Sequence, residues 1–115
     1  MCGIFTLLNN RNTCDETLIV HAFNKGNRRG PEESIITGLS HGDRIITGFK
    51  RLAINGLDTL SGQPMEFEGC RLICNGEIYN FRELYQAMGV TPNTDSDCEV
   101  IIHLYKRYGI EQTLR

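Results

Sequence analysis

Cys2 stands beside the initiator residue in Met1-Cys2-Gly3. Removal of Met1, which a small second residue permits, leaves a cysteine with a free α-amino group. An α-amine titrates at about 7.7 to 8.0 and a thiol at about 8.5. The amine can therefore accept the thiol proton near neutral pH, directly or through one water, and one residue supplies both nucleophile and base. Asn75-Gly76-Glu77 follows a strand-like run and offers a side-chain amide and an unhindered backbone N–H, a pair suited to an oxyanion. Arg51 can clamp a carboxylate in bidentate fashion. Asp97, on the first turn of a helix, can pair with an ammonium group. Each also has an ordinary structural reading. Cys2 can be an early core residue, Asn-Gly a tight turn, Arg51 a surface cation, and Asp97 a complement to the helix dipole.

The elements that must position these residues are legible in outline. Cys2 to Leu8 reads as a short buried strand ended by Asn9-Asn10. Leu18, Ile19, Ala22 and Phe23 recur at helical spacing between Asp15 and about Lys25, with Thr13 as cap and Gly26 as stop. Arg28 to Glu33 is a loop, in which Pro31 turns Gly30 away from the α region. Ser34 to Leu39 and Arg44 to Phe49 form a hairpin around His41-Gly42-Asp43. Asn55 to Pro64 is a long loop of the kind that often carries function. Glu66 to Cys74 gives a second hairpin with Glu68-Gly69 at its turn. Asn80-Phe-Arg-Glu83 and Ser96-Asp-Cys-Glu99 have the pattern of capping boxes. The second opens an apolar stripe at Val100, Ile101, Leu104, Tyr105 and Tyr108, closed by Gly109. Strands and helices together give a mixed α+β or α/β class.

Composition narrows the function classes. The 115 residues suit one domain and a core, with 40% apolar and 23% charged residues. Lys+Arg number 12 against 14 Asp+Glu, so the basic excess of a nucleic-acid binder is missing. Arg28-Arg29 is a compact basic spot too short to read as an arm. No run approaches the ~18 to 20 apolar residues of a membrane span, and Ile4 to Leu8, too short for an h-region and without a basic n-region, leads to the expectation of no signal peptide. A cytoplasmic protein is the expectation. Cys2, Cys14, Cys70, Cys74 and Cys98 are an odd set without zinc-finger spacing, so, Cys2 excepted, mostly buried thiols are expected rather than disulfides or a metal site.

The motifs occur in one order: Cys2, Arg28-Arg29-Gly30-Pro31, Lys50-Arg51-Leu52-Ala53-Ile54, Gly62-Gln63-Pro64, Asn75 to Asn80, and Ser96 to Val100. Across essentially the whole chain this resembles the class II, N-terminal-nucleophile glutamine amidotransferases. The resemblance is closest to the glutaminase domain of glutamine-hydrolysing asparagine synthetases. It implies an α+β N-terminal-nucleophile fold, the αββα sandwich. It further implies that Cys2 attacks the glutamine side-chain amide, with its own amine as base and then as acid for the leaving ammonia. Asn75 and Gly76 would hold the oxyanion, Arg51 the α-carboxylate, and Glu77 and Asp97 the α-ammonium. Backbone from Arg51 to Asn55, Ile54 included, would line the pocket. A fixed cation and two fixed anions suit a zwitterionic α-carbon.

Three positions depart from the family pattern. Lys50 stands where relatives often carry His, Glu32 where Asp usually follows the proline, and Asn55-Gly56 where an aliphatic residue precedes Asp. The family's domain continues beyond position 115, so residues 1–115 read as a partial glutamine amidotransferase type 2 domain, truncated before its second half. On this resemblance the synthetase domain that would bind ATP, Mg and aspartate is expected to lie outside these residues, and no cofactor or metal is expected in this chain. Open sheet edges and apolar faces are then expected, covered by a completing protein partner or by the synthetase domain. Glutamine is the expected small-molecule partner, with no nucleic acid and no membrane. The alternative reading is a truncated, non-catalytic module that binds glutamine or protein without turnover.

Overall fold

Alternating apolar and β-branched residues make Gly3–Leu8 (β1) a strand that pairs antiparallel with Ile45–Arg51 (β3), in the register Gly3 opposite Lys50 and Leu8 opposite Ile45. A second antiparallel partner, Glu33–Thr37 (β2), lies on the other side of β3, so the order is β1-β3-β2. The structure is a computed structural model of the 115-residue chain and describes every residue except Met1, Asn12, His41 and Asn55. The hairpin between β2 and β3 is the expected one, although His41 at its tip is outside the described residues.

Helix Glu16–Asn24 (α1) covers one face of this sheet. Its Phe23 ring lies edge-on to Phe5 at 5.8 Å. A β-carbon on Gly48 would come within 2.6 Å of that ring, so the glycine admits the helix. The opposite face differs from the expectation for β1. Ile4 and Leu8 are exposed with Ile45, so the strand alternates instead of being buried on both sides. Asp15, not Thr13, occupies the N-cap of α1, and its side chain makes no capping hydrogen bond.

The chain divides into two compact units. One comprises Met1–Ala53 with Ile73–Asn75, and the other Ile54–Leu72 with Gly76–Arg115. In the second unit, Met65–Phe67 (β4) and Cys70–Leu72 (β5) form a hairpin with Glu68 and Gly69 both at positive φ. Two positive φ values in succession suit a tight hairpin turn. Phe81–Met88 (α2) and Val100–Thr113 (α3) pack around Tyr85, Met88 and Val100.

Several local expectations are corrected. Asn80 makes no capping bond because its ψ of 20° is outside the extended region a side-chain cap requires. Ser96 does cap, accepting from Cys98 N at 3.2 Å, but Glu99 does not complete the box because its carboxylate turns to Asn93 and Thr94. Gly109 breaks α3 at φ 78°, and another helical turn follows. On α3, Ile102 is buried while Tyr105 and Tyr108 are exposed. Among the described residues no cysteine forms a disulfide, and of the five only Cys98 is buried. Among the described residues no helix is long and apolar enough to cross a membrane.

Candidate active site around Cys2

Pairing with β3 delivers the start of β1 to the end of its neighbour. Just before β1, Cys2 reaches Leu52, just after β3. The Leu52 N–H donates to Cys2 Sγ at 3.4 Å, and the thiol donates to the Leu52 carbonyl at 3.4 Å. On the other side of the residue, Arg29 Nε donates to the Cys2 carbonyl at 3.3 Å. Cys2 and Asn75, both in the first unit, line one cavity of about 250 Å³ with Arg29, Lys50 and Phe23. This cavity is at the small end of ligand sites.

Lys50 forms part of the cavity floor. It is buried, and its Nζ donates to Ser34 Oγ at 3.0 Å and Asn24 Oδ1 at 3.3 Å, while lying 3.7 Å above the Phe23 ring. Burial pulls its ammonium below the ordinary value of 10.5. The sequence singled out Lys50 only as a departure. Its alternation in a central strand was the available sign that the side chain points into the core. Arg29 was likewise quoted in a motif without a role.

The other anticipated residues have these places. Arg51 ends β3 in the first unit, and its Nη1 pairs with Glu33 at 3.3 Å in a part-buried contact. The remaining set belongs to the second unit. Asp97 is buried, and its Oδ2 accepts from Ile78 N at 2.6 Å. Cys98 Sγ donates to the Gly76 carbonyl at 3.6 Å. The segments 75–80 and 96–100, which carry the most specific sequence resemblance, are thus tied together by two hydrogen bonds. Glu77 is exposed, and its carboxylate bonds to Tyr79 and raises that phenol above its ordinary pKa. Ile54 is exposed. Asn55 is outside the described residues.

In chemical terms, the first unit offers a thiol fixed by backbone, a neighbouring amide side chain and two cations. Comparison with known proteins agrees with the sequence motifs. The profile of the glutamine amidotransferase domain matches residues 1–115. Asparagine synthetase (glutamine-hydrolyzing) of Gallus gallus is 40% identical over 119 residues, covering 98% of this chain and 20% of the relative. Asparagine synthetase (glutamine-hydrolyzing) 1 of Bacillus subtilis is 36% identical, over 96% of this chain and 18% of the relative. The Homo sapiens protein of the same description is 35% identical, over 99% and 20%. The chain therefore spans about a fifth of the length of these relatives, and it belongs to the glutamine amidotransferase domain family.

Proposed function

We propose that the chain hydrolyses glutamine to glutamate and ammonia through a thioester on Cys2, and that the ammonia serves amide synthesis as in asparagine synthetase. The observation that carries this reading is the placement of Cys2: its sulfur is bonded to Leu52 in a cavity that Asn75 shares. In the proposed cycle Met1 is first removed. The freed amine takes the thiol proton, and sulfur attacks the side-chain carbonyl carbon of glutamine, forming a C–S bond. The Asn75 amide and the Gly76 N–H stabilise the oxyanion. Collapse breaks the C–N bond, and the amine returns its proton to the departing ammonia. Water then attacks the thioester, releases glutamate and restores the thiol.

Arg51 takes the α-carboxylate in this reading. Glu77 and Asp97 take the α-ammonium, and backbone from Arg51 to Asn55 completes the pocket. The mixed fold is read as part of an N-terminal-nucleophile αββα sandwich in a soluble, cytoplasmic enzyme. ATP and Mg belong to the chemistry of a synthetase domain and hold no role in these steps.

The test is ammonia release from glutamine, measured with the mass of the intact protein. Active protein lacks Met1 and takes one equivalent of an electrophilic glutamine analogue at Cys2. Cys2→Ala is expected to lose activity by about 10³-fold or more, and Cys2→Ser to be severely impaired. Undiminished turnover in Cys2→Ala, or in protein that keeps Met1, would refute the mechanism. Glutamine binding without ammonia release would support the non-catalytic module instead.

A further inference from the structure

Lys50 takes no part in the steps above, and its surroundings are unusual for a charge. The residue is only 3% exposed. A buried ammonium is ordinarily paired with a carboxylate, because a lone charge is costly to take out of water. Here the partners are Ser34 Oγ, Asn24 Oδ1 and the Phe23 ring, all of them uncharged. The acidic side chains next to Ser34 are engaged elsewhere: Glu33 pairs with Arg51, and Glu32 accepts from Ala53 N. A counter-charge has room to enter. Lys50 lines the cavity of about 250 Å³ that Cys2 and Asn75 share, and among the described residues around it Arg29 is a second cation while none is acidic. Two glycines leave space beside the lysine stem. A β-carbon on Gly3 would stand 3.3 Å from Lys50 Cβ, and one on Gly26 would stand 3.6 Å from its Cγ. All of these residues belong to the first unit.

We propose that this cavity is a site for a small anion, a carboxylate or an inorganic oxoanion, that supplies the counter-charge of Lys50. Between two cations and the apolar rings of Phe5 and Phe23, an anion is attracted more strongly than in open water. A neutral amide of the same size gains little from that field. The consequence for turnover rests on the glutaminase reading. Hydrolysis at Cys2 exchanges the neutral side-chain amide of glutamine for the carboxylate of glutamate. The cavity then holds the product better than it admits the substrate, and glutamate slows the reaction that forms it. A free oxoanion such as phosphate answers to the same chemistry and is the other source of the ligand.

The experiment titrates the parent, Lys50→Met and Lys25→Gln with acetate, phosphate and glutamate at constant ionic strength, following the backbone amide signals by NMR. Methionine keeps the unbranched stem without the charge, and Lys25 is an exposed cation of the same unit outside the cavity. In the parent, acetate is expected to shift the Gly3, Gly26 and Lys50 amides and to saturate. Its Kd rises about tenfold or more in Lys50→Met, the loss of one charged partner, and is unchanged in Lys25→Gln. Shifts that never saturate, that centre elsewhere, or that keep the parent's Kd in Lys50→Met overturn the proposal. Should Lys50→Met fail to fold, the location and saturation of the parent's shifts decide it. Glutamate that displaces acetate identifies the product as the ligand, and it then inhibits ammonia release about tenfold more weakly in Lys50→Met. Phosphate that displaces acetate where glutamate does not identifies a free oxoanion. A parent that binds acetate but releases no ammonia overturns the glutaminase reading and leaves the anion site standing.

Discussion

Glu99 accepts hydrogen bonds from Asn93 N, Asn93 Nδ2 and Thr94 N at 2.7 to 2.9 Å, and its Oε1 lies 2.9 Å from His103 Nε2. Burial by itself would raise its pKa, but the bonds from Asn93, His103 and Thr94 outweigh burial and hold it below the ordinary 4.5. A depressed carboxylate contributes stability that is fully present above its unfolded value and is lost as pH falls through its folded value. The parent is therefore expected to lose melting temperature as pH falls below about 4.5, and Glu99→Gln to lose less over that window. At pH 7, Glu99→Ala should cost about 2 kcal/mol, because it strips a buried charged acceptor from several part-buried donors. An unchanged urea midpoint at pH 7 would count against that account. The sequence marked Glu99 by its spacing from Ser96, but spacing does not say where a carboxylate turns. Arg51 and Asp97 were legible as charges in the same sense. Their partners, Glu33 and the Ile78 N–H, come from chain crossings that one sequence does not display.

Gly30 matters at the scale of an element, since it sets how closely one segment crosses another. Its missing β-carbon leaves room for the end of β3, and the atoms it would strike belong to backbone, which cannot swing aside. Gly30→Ala is expected to destabilise by about 3 kcal/mol, the upper range for overpacking. That corresponds to a fall of roughly 10 °C or more in melting temperature for a domain of this size. Gly48→Ala meets only the Phe23 ring and should cost less, so the order of the two melting temperatures tests the argument. A Gly30→Ala protein at least as stable as Gly48→Ala would show that the crossing yields. Elements of this kind were partly legible. Alternation and turn residues located the hairpins β2–β3 and β4–β5 to within about two residues, because local sterics govern both. The box at Asn80 misled, since backbone angles set by packing decide whether a capping side chain can bond, and the cap of α1 was placed two residues early. The apolar stripe of α3 misled for a related reason. Helical spacing finds a face but not its depth, so Tyr105 and Tyr108 were grouped with the core while Ile102 was missed.

For the whole molecule, the sheet of the first unit determines behaviour at high concentration. Directly paired residues project to one side of a sheet, which places Ile4, Leu8 and Ile45 together on the face away from α1. They are 54%, 66% and 51% exposed, far more than apolar residues of a central sheet usually show. β1 also lies at the edge of the strand order, and an apolar edge strand is a template for further pairing. Each buried apolar Å² contributes about 25 cal/mol, so covering such a patch with a second copy is favourable once concentration offsets the lost freedom of association. The 115-residue chain by itself is therefore expected to exceed its monomer mass of 13.0 kDa in sedimentation as concentration rises. Leu8→Lys combined with Ile45→Thr should restore the monomer mass. A charge protects the edge, and threonine keeps the β propensity of the centre. Because both positions are exposed, the double variant should melt within about 5 °C of the parent. A parent that sediments as a monomer at every concentration would show that the exposed face does not drive association. A double variant that still associates would place the contact elsewhere on the surface.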